Sequence, residues 1–157
     1  MDNRLENMEL ASETARAGMV SGSGGPFGAA IVDSSGNIVA VASNSVLADH
    51  DPTAHAEVNV IRQAARDLGT HDLSGCTIYA TGYPCPMCLS AIIWAGIGKV
   101  YYANPLGEAD NIGFSDGDIY NFIRSGNTGK LLELEELPGT SAESLYEEYA
   151  SMDGQLY

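Results

Sequence analysis

Phe27-Gly28-Ala29-Ala30-Ile31-Val32, Asp33-Ser34-Ser35-Gly36-Asn37, Ile38-Val39-Ala40-Val41-Ala42: this stretch decides the fold. Two apolar runs of strand length flank a turn built from Asp, Ser, Gly and Asn, the pattern of a β-hairpin. Upstream, Leu5, Met8, Ala11, Ala15 and Met19 recur at helical spacing, and Gly22-Ser23-Gly24-Gly25-Pro26 ends that helix. Downstream comes a polar loop, Leu47 to Pro52. Ala56, Val60, Ile61 and Ala64 then mark a helix from Thr53 to about Leu68, with Gly69 at its end. Cys76 to Ala80 reads as a strand, Cys85 to Ala95 as a helix closed by Gly96, and Lys99 to Ala103 as a strand of β-branched and aromatic residues. A long loop, Asn104 to Ser115, is followed by a short helix over Ile119 to Arg124. An edge strand near Leu131 to Leu137 and a helix from Ser141 to Met152 complete the reading. A hairpin followed by alternating helices and strands predicts an α/β domain over residues 1–157, a mixed sheet covered by helices on both faces.

The chain has 157 residues, enough for one domain with a substantial core. Hydrophobic residues at 45% and charged residues at 18% place it among globular chains rather than disordered ones. No apolar run approaches the roughly 20 residues that cross a bilayer. The N-terminus lacks a basic region followed by an apolar stretch, so no membrane or export is expected, and the cytoplasm is the default. Net charge is −14, with only seven Lys and Arg between Arg4 and Lys130. Such a surface repels phosphate backbones, whose binding depends on basic side chains displacing counterions, so nucleic acid is not an expected partner.

Chemistry concentrates in two short pieces, His55-Ala56-Glu57 and Pro84-Cys85-Pro86-Met87-Cys88. One imidazole and two thiolates make three ligands for zinc, leaving the fourth tetrahedral position for water, the arrangement of a catalytic rather than a structural site. Cys76 falls in a strand and His50 and His71 in loops, so none offers an obvious fourth ligand. Cys85 and Cys88 share one face of the first turn of a helix, whose partial positive charge favours thiolates. Glu57, two residues after His55, can reach a metal-bound water without ligating the metal and act as general base and then general acid. Either piece alone is weak, since Cys-x-x-Cys also marks redox or structural zinc sites. Their conjunction, in this order and with Pro84 before the first cysteine, matches the signature of the zinc nucleobase deaminases.

On these motifs the chain resembles the cytidine and deoxycytidylate deaminase superfamily, and within it the bacterial guanine deaminases. The resemblance extends through Gly24-Gly25-Pro26-Phe27-Gly28-Ala29, Asp51-Pro52-Thr53-Ala54-His55-Ala56-Glu57-Val58, Pro84-Cys85-Pro86-Met87-Cys88-Leu89 and Ala91-Ile92-Ile93-Trp94-Ala95. It continues in Gly113-Phe114-Ser115-Asp116-Gly117-Asp118-Ile119-Tyr120 and in the terminal Tyr157. It implies a three-layer α/β/α sandwich with five strands, one Zn2+ per subunit, and a homodimer whose C-terminal segments can be exchanged. It further implies that Phe27, Asn44, Ala56, Trp94 and Tyr157 contact the substrate and that Asp116 carries protons beside Glu57. Each also has a plain structural reading: Asn44 as a turn residue, Phe27 and Trp94 as core, Asp116 as a helix cap, Tyr157 as a frayed end.

Two features depart from the guanine deaminase pattern. Gly82-Tyr83 stands where those proteins usually carry Cys-Glu, and Ser115 replaces the first of two aspartates. The implied reaction is hydrolysis of guanine to xanthine and ammonia in purine metabolism. Cytosine, a pterin, another aminated ring or a nucleoside remains an alternative substrate. A non-catalytic zinc domain would leave Glu57 without a task, and a thioredoxin-like redox role would leave both His55 and Glu57 unexplained.

Overall fold

The computed structural model describes residues 3–126 and 131–157. The chain divides into two compact units, Met1–Gly117 and Asp118–Tyr157. The first contains α1 (Arg4–Val20), β1 (Gly28–Val32), β2 (Ile38–Ser43), α2 (Val46–Asp49), α3 (Ala56–Leu68), β3 (Thr77–Gly82), α4 (Pro86–Trp94), β4 (Lys99–Asn104) and a 3-10 turn, Ala109–Ile112.

The hairpin forms where its turn residues place it. Asp33 Oδ1 accepts from the Ser35 and Asn37 amides at 2.9 Å each, and Oδ2 accepts from Asn37 Nδ2 at 3.0 Å. Gly36 takes φ +86°, a left-handed conformation that glycine adopts without a Cβ penalty. From this hairpin the sheet extends in the order β2-β1-β3-β4, with β1 antiparallel to both neighbours and β3 parallel to β4.

Alternation along β1 assigns its two faces. Ala29 and Ile31 pack with Val60 and Ala64 of α3 and Ile92 of α4. Ala30 and Val32 pack with Ala11 of α1 and Tyr79 of β3. All five residues of β1 are buried, as expected for a central strand covered on both sides. Helices therefore cover both faces, giving the α/β mixed-sheet architecture. The buried stripe of α1 is Asn7, Ala11, Ala15 and Gly18, whereas Leu5 is exposed. Small residues win this face because α1 lies very close to β1: a Cβ on Gly28 would sit 2.1 Å from the Ala11 carbonyl oxygen. Gly28→Ala is expected to destabilise the protein by about 1–3 kcal/mol through overpacking. Urea or thermal unfolding measures this, and wild-type stability would mean that α1 shifts freely.

Two expectations are corrected. Among the described residues the sheet has four strands rather than five, because Leu131 to Leu137 forms no strand. Alternating leucine and glutamate specifies which side of a strand is apolar, but a strand exists only through ladder hydrogen bonds to a partner. The stretch expected as a loop, Leu47 to Pro52, overlaps the short α2 (Val46–Asp49), which is ended by His50 in a left-handed conformation.

The second unit carries α5 (Gly117–Arg124), whose first residue lies at the unit boundary, a 3-10 turn at Ser141–Ser144 and α6 (Leu145–Ser151). One continuous helix from Ser141 was expected. Instead a capping box between Thr140 and Glu143 opens a tight 3-10 turn before the α-helix. Among the described residues no helix is long and apolar enough to cross a membrane.

Candidate metal centre and substrate pocket

Two helix N-termini bring the motif residues together. His55 is the N-cap residue of α3, and Cys85 is the N-cap residue of α4, with Pro86 in the first helical position. Proline is tolerated there because its missing N–H would lack a helical partner anyway. Cys88 lies one turn on, wholly buried, and its backbone N–H donates to Cys85 Sγ at 3.4 Å.

The ligand atoms of His55, Cys85 and Cys88 all lie within 4.8 Å of one another. Nδ1 of His55 is 3.5 Å from Cys85 Sγ and 3.6 Å from Cys88 Sγ. With Zn–S of about 2.3 Å and Zn–N of about 2.1 Å, a tetrahedral ion separates such N and S atoms by about 3.6 Å. The three side chains fit zinc in donor type and in spacing. Electrostatics point the same way. The Cys85 thiol is brought down to about 4, first by its hydrogen bond with Cys88 and also by the His55 ring. Cys88 is pushed up because it supplies that hydrogen bond and is buried.

Glu57, on the first turn of α3, is only 8% exposed, with Oε2 3.4 Å from Cys88 Sγ. Burial first of all raises its pKa above the ordinary glutamate value, so its carboxylate is a stronger base than a solvated one. It stands against the ligand triad without belonging to it.

A cavity of about 280 Å³ is lined by Phe27, Thr81, Tyr83, Asn104, Glu108 and Asp116, among others. Phe27 meets Phe114 edge to face, with ring centroids 5.2 Å apart. Tyr83 and Tyr102 pack similarly at 5.0 Å. The Asp116 carboxyl is held above its usual range, by desolvation first. Asn44 is buried at the end of β2, and its Oδ1 accepts from the Val46 N–H at 3.1 Å. That bond fixes the orientation of the amide and leaves its NH2 as a donor for a ligand.

Of the expected substrate contacts, Phe27 lines the cavity and Ala56 is wholly buried beside the metal ligand. Trp94 ends α4, is 70% exposed and is not among the residues lining the cavity. The tryptophan follows Ile92, which takes the inward position, so helical rotation turns Trp94 outward. Tyr157 belongs to the C-terminal unit and is exposed. Sequence reasoning overlooked Thr81, Asn104 and Glu108. The first two brace the cysteine loop: Asn104 Nδ2 donates to the Thr81 carbonyl at 2.6 Å, and the Tyr83 N–H donates to the Asn104 carbonyl at 2.9 Å. Thr81 and Asn104 are polar residues near strand ends, and Asn104 and Glu108 fall in the long loop Asn104 to Ser115, of a kind that often carries sites.

Residues 1–104 match the family described as "Cytidine and deoxycytidylate deaminase zinc-binding region". The chain is 46% identical over 116 residues to guanine deaminase of Bacillus subtilis (strain 168), covering 74% of each chain. It is 39% identical over 143 residues to the tRNA-specific adenosine deaminase of Agrobacterium fabrum, covering 84% of this chain and 93% of that one. The solved structure of guanine deaminase from Bacillus subtilis superposes with a TM-score of 0.88 at 35% identity, covering 97% of this chain and 96% of the other. The chain belongs to the cytidine and deoxycytidylate deaminase zinc-binding family. More particularly, it is a zinc-dependent aminohydrolase.

Proposed function

We propose that this enzyme hydrolyses the exocyclic amine of guanine, releasing xanthine and ammonia as a step in purine metabolism. The observation that carries this reading is the likeness to Bacillus subtilis guanine deaminase along nearly the whole of both chains. His55, Cys85 and Cys88 would hold zinc, which when bound lowers the pKa of its water toward about 7. Glu57 takes a proton from the attacking water and delivers it to a ring nitrogen. Asn44 donates to an acceptor atom of the ring, Phe27 walls it, and Asp116 hands a proton to the departing amine. Ala56 and Tyr157 complete the contacts.

Gly82-Tyr83 supports a second reading, in which another aminated ring is preferred, because this pair lines the same cavity as Phe27 and Asp116. Transfer RNA is disfavoured by the net charge of −14. Ammonia release across purines, pyrimidines, pterins and nucleosides decides: guanine should be turned over faster than adenine, adenosine or cytidine. A clear preference for a pyrimidine or a pterin would sink the guanine reading and spare the chemistry.

We also propose a cytoplasmic homodimer in which residues 1–157 form one functional domain and the C-terminal segment is exchanged. Ile93 and Trp94 of α4, at 74% and 70% exposure, support an apolar contact with a second copy. Asp116→Ala is expected to keep zinc and lose turnover, whereas removing Gln155 to Tyr157 weakens substrate binding. Mixed dimers of the two variants should regain part of the activity. Confirmed mixed dimers that stay inactive would place both groups in the same subunit's site.

A further inference from the structure

Asn59 lies one turn after His55 on α3, half-buried. Its Nδ2 donates to the Ser43 carbonyl and to Ser45 Oγ, both at 2.9 Å, and more distantly to the Ala54 carbonyl at 3.3 Å. Carbonyl oxygens only accept, so these partners settle which end of the Asn59 amide faces them. Two N–H bonds serve three acceptors, and the longest contact is the shared one. The acceptors are not scattered. Ser43 and Ser45 flank Asn44, and Ala54 immediately precedes His55. The Ser45 N–H also donates to the Ala54 carbonyl at 3.0 Å, closing the same junction through the backbone.

From the other side, Asn44 has no freedom to retreat. Its own N–H donates to the Phe27 carbonyl at 2.9 Å. A Cβ on Gly24 would lie 2.1 Å from Asn44 Oδ1 and 2.6 Å from the Asn44 carbonyl oxygen, so only glycine admits the asparagine there.

We infer that Asn59 is a positioning residue: its amide ties the segment carrying Asn44 to the start of α3, so one helix sets both the ring-reading amide and the imidazole at the metal. This rests on the proposed role of Asn44 in holding the ring. A small displacement of a positioning group can cost about a hundredfold in rate, and here the displaced group binds the ring rather than moving protons. The effect should therefore appear in KM.

The test is a double-mutant cycle on the zinc-loaded enzyme, with kcat and KM measured beside zinc content and thermal stability. Asn59→Ala is expected to retain zinc and to lose about tenfold in kcat/KM, carried by KM. In an Asn44→Ala background the same change should cost less than about twofold, because coupled residues are non-additive while independent ones add. Equal losses in both backgrounds, or a fall in stability with KM unchanged, would overturn the inference. Should Asn59→Ala fail to fold, Ser45→Ala removes one acceptor of the brace and gives the same cycle. The cycle uses whichever ring the wild type deaminates fastest, so a wrong ring assignment shows in the wild type and leaves the cycle readable. Asn44→Ala with a wild-type KM refutes the reading of Asn44 by itself, before Asn59 is changed, and takes the inference with it.

Discussion

Glu57→Gln is expected to bind zinc as the wild type does and to lose about a hundredfold to ten-thousandfold of turnover, the range that a positioned general acid–base supplies. The substitution is nearly isosteric, so the packing around α3 has no cavity to absorb. What disappears is the ability to accept a proton: the amide has a carbonyl oxygen and an NH2 group, neither basic at neutral pH. The burial that raises the carboxyl's pKa is also a folding cost carried for function. Removing the charge should therefore leave thermal stability equal to or above that of the wild type, a combination that separates a catalytic role from a structural one. Metal analysis, thermal unfolding and ammonia release on one preparation check all three. Turnover within about tenfold of wild type would mean that Glu57 is not the main proton carrier.

Cys88→Ser should have the second largest effect, and on a different observable. Cys88 is wholly buried and reaches toward both the His55 ring and Glu57. A hydroxyl in its place is a poor zinc ligand at neutral pH, because it does not ionise as a thiol does. Zinc content is expected to fall well below one per chain, and activity with it. An ion bound by the folded state alone stabilises that state by mass action. A chelator should therefore lower the unfolding temperature of the wild type and leave that of Cys88→Ser unchanged. Full zinc occupancy with normal activity in the variant would defeat the ligand assignment. A wild type whose unfolding temperature does not respond to chelator would show that zinc does not support this fold. A fall of equal size in both proteins would show that Cys88→Ser still holds the ion.

These two experiments test residues recognisable before any coordinates, and the reason is local. The hairpin was legible in Asp33 to Asn37 because an Asx turn and a left-handed glycine close it through neighbours in sequence. The continuous apolar run along β1 foretold a buried strand, since apolar side chains on both sides need partners on both sides. Proline before a helix, and ligand types three residues apart on its first turn, are likewise short-range features. They made the metal motif readable as chemistry, although nothing in the spacing of His55 and Cys85, 30 residues apart, gives a distance.

Tertiary structure alone decided the rest. It brought His55 Nδ1 within 3.6 Å of both sulfurs by converging the N-termini of α3 and α4 on one point. It left Leu131 to Leu137 without a ladder, because a strand is completed by its neighbour rather than by its own pattern. It turned Trp94 outward while Ile92 took the core position, a choice between two apolar side chains that helical phase makes only once the helix has been docked. Asn59, an unremarked polar residue in a helix, became a brace only when Ser43, Ser45 and Ala54 arrived within its reach. Hydrogen bonds between neighbours in sequence can be read from residue order, whereas those closing a site depend on which surfaces the core's packing brings together.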